Sequence, residues 1–296
     1  MLIAGLDLGG TSVKGVMVRA DGVEAARHTV SFDLEAPLAF AGAVEACLAQ
    51  LERAAGSRAD RIGLSAPGLA AADRRSIAFM PGRFPGLEGL DWGAHLARGP
   101  VPVLNDAQAA LLGEVWRGAA AGCRNVILLT LGTGVGGAAM VDGQLLRGHT
   151  GKAGHLGHVS LNPEGALDIT GTPGSLEDAV GNHNIRERSG GRFDTTHALI
   201  EAHLQGDPAA TAVWNASLRA LAAAIVSFTN VLDPEVVVLG GGISRCGSAL
   251  FDPLQAMVAR CEWRVCGHQV RIIPAMLGEY AGANGAAACA LGLGGA

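Results

Sequence analysis

The chain opens with an apolar run, Leu2 to Leu8, that halts at Gly9-Gly10-Thr11, and a second run, Val13 to Val18, follows at once. Two β-rich runs joined by a glycine turn predict a hairpin. From Pro37 to Ala55, Leu, Phe, Ala and Val recur at helical spacing, which predicts a helix. Arg61 to Leu64 reads as a strand entering the turn Ser65-Ala-Pro67-Gly68-Leu. Val101 to Leu104 reads as a short strand that ends at Asn105-Asp106. Ala107 to Trp116 then reads as a helix with Ala, Leu and Trp on one face.

The same grammar restarts at Asn125. Val126 to Leu131 predicts a strand, Gly132-Thr-Gly-Val-Gly-Gly a turn, Ala138 to Val141 the returning strand, and Asp142-Gly143 a hairpin turn. A Gly-rich and His-rich stretch, 147 to 175, breaks the pattern. Leu176 to His183 and Ala209 to Leu232 read as helices, and Glu235 to Leu239 as a buried strand entering Gly240-Gly-Gly-Ile-Ser. A strand near Val270 to Ile273 and an Ala-rich helix from about Ala281 close the chain. The unit of strand, glycine hairpin and strand thus occurs twice, at 2–18 and 126–141, with little shared sequence. It predicts two similar α/β domains, residues 1–117 and 118–296, with the last helix, about 281–296, packing back on the first.

Composition narrows the classes. Of 296 residues, 49% are hydrophobic and only 17% charged, which fits a globular chain with a large core. The 44 glycines keep no fixed period, so they read as turns and close backbone approaches. A net charge of -5 with no concentration of Lys and Arg lacks the footprint of a nucleic-acid binder. The N-terminus has no basic start and reads as a strand rather than a signal peptide, and no uninterrupted apolar stretch reaches the length of a membrane span. A cytoplasmic setting is therefore expected. Cys47, Cys123, Cys246, Cys261, Cys266 and Cys289 form no CxxC pair, which predicts free thiols in or near the core.

Three glycine turns carry the candidate chemistry. In Asp7-Leu-Gly9-Gly10-Thr11-Ser12 a turn without side chains lets backbone N–H groups approach phosphate oxygens, and the Thr11 and Ser12 hydroxyls add donors. Asp7, at the strand end, stands where a phosphate-held metal would be. Leu131-Gly132-Thr133-Gly134-Val-Gly-Gly repeats the design. It is no Rossmann fingerprint, because a strand follows, and no Walker loop, because no Gly-Lys-Ser or Gly-Lys-Thr is present. In Val238-Leu-Gly240-Gly241-Gly242-Ile-Ser a buried strand runs into a helix, a turn suited to a nucleotide. The repetition points to a phosphate clamp closed from both domains. Asp106 fits two roles: the N-cap of the helix after it, worth ~1 kcal/mol, or a carboxylate that accepts the proton of an attacking hydroxyl at the mouth of an interdomain cleft. Its setting between two phosphate turns favours the second.

Together these motifs resemble the ROK family of sugar kinases and repressors, of the actin and hexokinase superfamily. The resemblance covers nearly the whole chain. It rests on Asp7-Leu-Gly-Gly-Thr-Ser-Val-Lys14-Gly, Ser65-Ala-Pro-Gly, Asn105-Asp106-Ala-Gln-Ala-Ala-Leu-Leu-Gly-Glu114, Leu131-Gly-Thr-Gly-Val-Gly-Gly, Gly154-His-Leu-Gly-His158, Gly174-Ser-Leu-Glu177 and Val238-Leu-Gly-Gly-Gly-Ile-Ser. It implies an α/β fold of two similar actin-like (ribonuclease H-like) ATPase domains flanking a cleft. It implies an ATP-dependent sugar kinase acting on the 6-hydroxyl of a hexose or N-acetylhexosamine, with Asp106 as general base. Asn105, His155, His158 and Glu177, with Ser65, Pro67 and Gly68, would then face the sugar. ATP would lie on Gly9, Gly10, Thr11, Ser12, Lys14, Gly132, Thr133, Gly134, Gly240, Gly241 and Gly242. Mg²⁺ would sit near Asp7, through water. A homodimer is the family's usual assembly.

The chain departs from the family pattern in three places. Many members hold zinc with the His of Gly-His and three cysteines. Here His158 is kept, but residues 165–175 contain no cysteine. One His is short of the four ligands a structural zinc needs, and Asp168 and His155 are unusual replacements, so no zinc is expected. The loop should be held by its own turns, Gly171-Thr-Pro-Gly174 among them. His155 stands where most family kinases have Glu. It can donate as well as accept, which should alter sugar preference. His155 with Gln108 leans toward an N-acetylated amino sugar, and a glucose-type or fructose-type kinase stays open beside it. Pro81-Gly-Arg83-Phe-Pro-Gly replaces the family's Pro-Asn. Arg83 reads as a solvated loop charge, or as a contact to a sugar or its anionic group. Two rival functions are a sugar-responsive regulator, which would need a helix-turn-helix ahead of Asp7, and a non-catalytic sugar or nucleotide binder. The roles of His149, His183, His197, His203 and His268 stay open, with most of them expected at surface or packing positions.

Overall fold

The computed structural model describes residues 1–34, 36 and 38–295. The first part of the chain forms β1 (Leu2–Leu8), β2 (Ser12–Arg19), β3 (Glu24–Ser31), α1 (Ala39–Ala55), β4 (Arg61–Ala66), β5 (Leu69–Ala70), β6 (Ile77–Phe79), α2 (Trp92–His95), β7 (Val103–Asn105) and α3 (Asp106–Arg117). The rest forms β8 (Val126–Leu131), β9 (Val135–Val141), β10 (Gln144–Leu145), α4 (Leu176–Val180), α5 (Ile185–Arg188), α6 (Thr196–Leu204), α7 (Pro208–Leu232), β11 (Val236–Gly240), α8 (Ser248–Cys261), β12 (Arg271–Pro274) and α9 (Ala281–Ala290). Pro37, the expected start of the first helix, lies outside the described residues.

The chain divides into two compact units. One comprises 1–124, 142–153 and 276–296, the other 125–141 and 154–275. The expected bounds are 1–117 and 118–296 with the last helix, about 281–296, packing on the first domain; here the first break falls at 124, and residues 142–153 also cluster with the first segment.

The first unit is built on a sheet of order β3-β2-β1-β4-β7. The β1–β2 hairpin is antiparallel, and β1, β4 and β7 are parallel. Along β1 the side chains alternate, as the pleat requires. Ala4, Leu6 and Leu8 join a core with Phe40, Val44, Leu48 and Leu51 of α1. Ile3 faces the other way, onto Ala283 and Ala287 of α9. Glycine permits that second contact. A side chain at Gly5 would collide with the Ala283 carbonyl, and one at Gly63 with the Ala286 carbonyl. α9 crosses α3 as closely, Gly285 against Ala109 and Gly113 against Ala281. All ten residues of α9 are buried.

The second unit repeats the plan in the order β9-β8-β11-β12, with an antiparallel hairpin followed by parallel strands. Its long helix α7 starts at a capping Asp207 followed by Pro208 and buries Trp214, Leu218, Leu221, Ile225 and Phe228. α7 is long and apolar enough to cross a membrane by length and composition alone. Here it packs against α4, α6 and α8.

Several expectations need correction. The third glycine turn does not run straight into an α-helix: a 3₁₀ turn at Ile243–Cys246 comes first, and α8 begins at Ser248. The helix expected through His183 stops at Val180, where Gly181 adopts an extended conformation. Cys47 and Cys289 are buried, but Cys261 and Cys266 are exposed. Cys261 ends α8, and Cys266 sits inside the irregular 3₁₀ turn Val265–Gly267, which has no buried residue.

Candidate functional site

In the first unit the chemistry-bearing residues gather at the carboxyl ends of three parallel strands, where ligands of open α/β sheets bind. β1 delivers Asp7, β4 runs into Ser65-Ala-Pro67-Gly68, and β7 ends at Asn105. Asp7 lies beside Ser65 in the ladder, and the Ser65 hydroxyl donates to Asp7 Oδ1 at 2.6 Å. Ser65 is fully buried, so its hydroxyl serves the carboxylate. Asp7 keeps one edge open to solvent but is densely surrounded, and its pKa is raised to about 6. Desolvation is the main cause and the nearby Asp106 adds to it, while the Ser65 hydroxyl and Lys14 oppose the rise. Gly282 in the first turn of α9 makes room for this carboxylate. A Cβ there would lie 2.6 Å from Asp7 Cγ.

The glycine turn after Asp7 is closed by Gly9 N–H donating to the Ser12 carbonyl at 2.9 Å, and Thr11 is exposed beside it. Lys14 pairs with Glu279 at 2.9 Å. The Arg83 guanidinium reaches over the turn: its Nη2 lies 2.5 Å from where a Gly10 Cβ would stand. It also packs on the Phe84 ring, 5.8 Å from the centroid.

The question of which residue caps α3 is answered by its neighbour. Asn105 is the N-cap, its Oδ1 accepting from Ala107 N and Gln108 N at 3.0 and 3.3 Å. Its Nδ2 donates to the Gly68 carbonyl at 3.0 Å, tying the strand end to the Pro67-Gly68 turn. Gly68 has φ +99°, and a side chain there would strike the Phe79 carbonyl at 2.6 Å. Asp106 is the first helical residue and is exposed, and its Oδ1 also accepts from Ala107 N at 2.8 Å. Gln108 is buried and donates to the Leu146 carbonyl at 3.2 Å.

In the second unit β8 ends in Gly132-Thr133-Gly134, closed by Gly132 N–H to the Gly134 carbonyl at 2.9 Å. β11 ends beside it in Gly240-Gly241-Gly242, where Gly241 has φ +86° and leaves no space before the Leu131 backbone. An open pocket of about 800 Å³ is lined by both turns through Gly132, Thr133 and Gly242. Ile200, Leu204 and Ile243 give it an apolar wall, and Asn182, Glu201 and Arg245 a polar one. Glu177 in the first turn of α4 accepts from Val135 N at 2.9 Å, its carboxylate lying against Gly134. His155 precedes a 3₁₀ turn at Leu156–His158 that packs on β9.

His158 is drawn into the loop that follows it. Its Nδ1 lies 2.9 Å from Asp168 Oδ2, and Asp168 Oδ1 accepts from Thr170 N, Thr170 Oγ1 and Thr172 N at 2.8, 2.8 and 2.9 Å. Burial alone would raise the Asp168 pKa, but His158 and these donors hold it far below the usual carboxylate range. The expectation of a loop held by its own turns thus gains a central carboxylate. Among the described residues no group of three or more His, Cys, Asp and Glu side chains is arranged to hold a metal ion. His183, whose role the residues leave open, reaches the second glycine turn, with Nδ1 2.9 Å from the Thr133 carbonyl. No local pattern marks it, since its partners lie 50 and 5 residues away.

Two α/β units on one strand plan, each with its glycine turns at the carboxyl ends of parallel strands, define the actin-like two-domain class. The chain belongs to the ROK family, whose model matches residues 3–292. It is 34% identical over 258 residues to a glucokinase of Thermotoga maritima, covering 80% of this chain and 81% of that one. Among solved structures it is similar to a ROK hexokinase from Thermus thermophilus, with a TM-score of 0.87 at 31% identity and 98% of both chains covered. It is also similar to a ROK family glucokinase from Streptomyces griseus in complex with glucose and AMPPNP. There the TM-score is 0.78 at 27% identity, covering 99% of this chain and 100% of that one.

Proposed function

We propose that the chain transfers a phosphoryl group from ATP to the 6-hydroxyl of a hexose or N-acetylhexosamine, with Asp106 as general base. The observation that carries this reading is the division of labour at the start of α3. Asn105 caps the helix through Ala107 N and Gln108 N, while Asp106, one oxygen of which also accepts from Ala107 N at 2.8 Å, stands exposed at the strand ends next to Asp7. A carboxylate in that place accepts the proton of the attacking hydroxyl while the hydroxyl is held in line. The second proton on Asn105 Nδ2, Glu177, His155 and His158 would orient the sugar hydroxyls, beside Pro67 and Gly68. Gly9 to Ser12 and Gly132 to Gly134 would cradle the polyphosphate through backbone N–H groups. The pocket floored by Gly242 would take the nucleoside.

Asp7 fits a water-bridged Mg²⁺. Its raised pKa marks a carboxylate short of positive charge, which a divalent cation would supply. That ion would neutralise charge on the phosphates. The glucose and AMPPNP bound by the Streptomyces griseus relative support the same pairing of ligands here. The reading carries a cytoplasmic homodimer with it, which light scattering and cell fractionation would test.

The test is ADP release from Mg-ATP with glucose, mannose, fructose, allose, N-acetylglucosamine and N-acetylmannosamine, with the phosphorylated carbon located by NMR. Turnover with a 6-phosphate product is expected, and the preferred sugar reports what His155 selects. Folded protein that binds ATP and sugar but phosphorylates none of them would overturn the reading in favour of a binding protein.

A further inference from the structure

We infer that His183 acts as an imidazolium that fixes the second glycine turn for the donor polyphosphate. It is a positioning residue whose charge state sets nucleotide affinity. The inference rests on the proposed function for what that turn holds. His183 Nδ1 lies 2.9 Å from the Thr133 carbonyl oxygen, and Nε2 lies 2.9 Å from Asp178 Oδ1. A carbonyl and an ionised carboxylate only accept, and a neutral imidazole carries one N–H. A neutral ring would set a nitrogen lone pair against one of these oxygens. Both contacts hold together only when both nitrogens are protonated.

The backbone confirms that this ring is part of the turn's support. His183 N–H also donates to the Thr133 carbonyl, at 2.8 Å, and Asn182 N–H to the Gly132 carbonyl, at 3.0 Å. Residue 181 must be small, since a Cβ there would lie 2.8 Å from His183 Nδ1 and 2.9 Å from the Thr133 oxygen. The charged groups around the ring are Asp178 and Glu177 on α4, and Arg188 on α5, whose guanidinium binds the Val180 and Gly181 carbonyls. Burial pulls the ring's pKa down, but the Thr133 carbonyl, Asp178 and Glu177 outweigh it, and the pKa stands above the ordinary 6.5.

The sign follows. The protonated ring and its support of Thr133 are complete below pH 6.5 and are lost as the pH rises through the raised pKa. Nucleotide affinity should fall over the same interval. The ring is partly exposed, so the effect is modest, about fivefold in Kd.

The experiment measures ADP binding by calorimetry at pH 6.5 and 9, for the full chain and for His183→Gln, with thermal melts to show that both are folded. The nucleotide's own phosphate titration is common to both proteins and cancels in the comparison. The wild type should weaken about fivefold between the two pH values, while the variant stays near the wild type's high-pH affinity throughout. NMR of histidine-labelled wild type, with the His183 signal identified by its loss in the variant, should give a ring pKa above 6.5 that ADP raises further. A variant with wild-type affinity at pH 6.5, a wild-type pH slope in the variant, or a ring that titrates below 6.5 would overturn the inference. If ADP binds with no dependence on His183, this inference fails alone. If ADP binds at no pH, the nucleotide reading fails with it.

Discussion

Replacing Asp7 by Asn should make the free protein more stable while destroying its activity. In the folded chain the Asp7 pKa is raised from 3.8 to about 6, chiefly by desolvation. A group whose folded pKa is raised favours the fold when protonated. That contribution is fully present below the unfolded pKa and is lost as the pH climbs through about 6. Two pKa units at 1.36 kcal/mol each give a penalty of about 3 kcal/mol for holding the ionised carboxylate at pH 8, and the solvent-open edge trims this to about 2. Near pH 4 the penalty shrinks to under about 1 kcal/mol. Asn is close to isosteric and its oxygen can still accept from Ser65, so Asp7→Asn removes the charge and little else. Urea titrations without nucleotide or Mg²⁺ at pH 8 and pH 4 should show a gain of about 2 kcal/mol at the higher pH and little at the lower. A variant no more stable than wild type at pH 8, or stabilised equally at both, would refute the claim that a strained carboxylate occupies this strand end.

Three further outcomes follow from the packing. Gly282→Ala should improve the propensity of α9 by up to ~1 kcal/mol, yet its Cβ would meet Asp7 at 2.6 Å; kcat should fall at least about tenfold without loss of melting temperature. Asp168→Ala removes the acceptor shared by His158, Thr170 and Thr172; amide exchange at residues 168–174 should quicken by about 10-fold to 100-fold. Because the Asp168 pKa is depressed, its clip is present above the ordinary carboxylate pKa, and the wild-type loop should open only as the pH falls below about 4. Gly134→Ala should raise the KM for ATP, since its Cβ would collide with the Glu177 carboxylate, and steady-state kinetics at saturating sugar would show it.

Much of this site was legible because strand ends leave local marks. The apolar runs stopping at Gly9-Gly10 and Gly132-Thr133-Gly134, and the break at Asn105-Asp106, placed the turns within a residue or two of where they lie. The repeated strand plan was readable for the same reason. Features set by distant partners were not. β3 is an edge strand whose residues are mostly exposed, so no apolar alternation announces it. α8 carries Pro253, which blurs its helical signal. Asn105 and Asp106 both suit an N-cap, and only the backbone assigned the cap to Asn105. The roles of Asp168 and His183 depend on His158 and Thr133, brought close by turns that spacing does not encode.

The central claim is that Asp106 takes the proton from the attacking sugar hydroxyl. Single-turnover phosphoryl transfer by wild type and Asp106→Asn, with ATP and sugar affinities measured in parallel by calorimetry, tests it most directly. The account predicts a loss of about 100-fold to 10,000-fold in the transfer rate with both affinities kept within a few fold. A variant that transfers phosphate at the wild-type rate, or that loses turnover only because it no longer binds sugar, would contradict it.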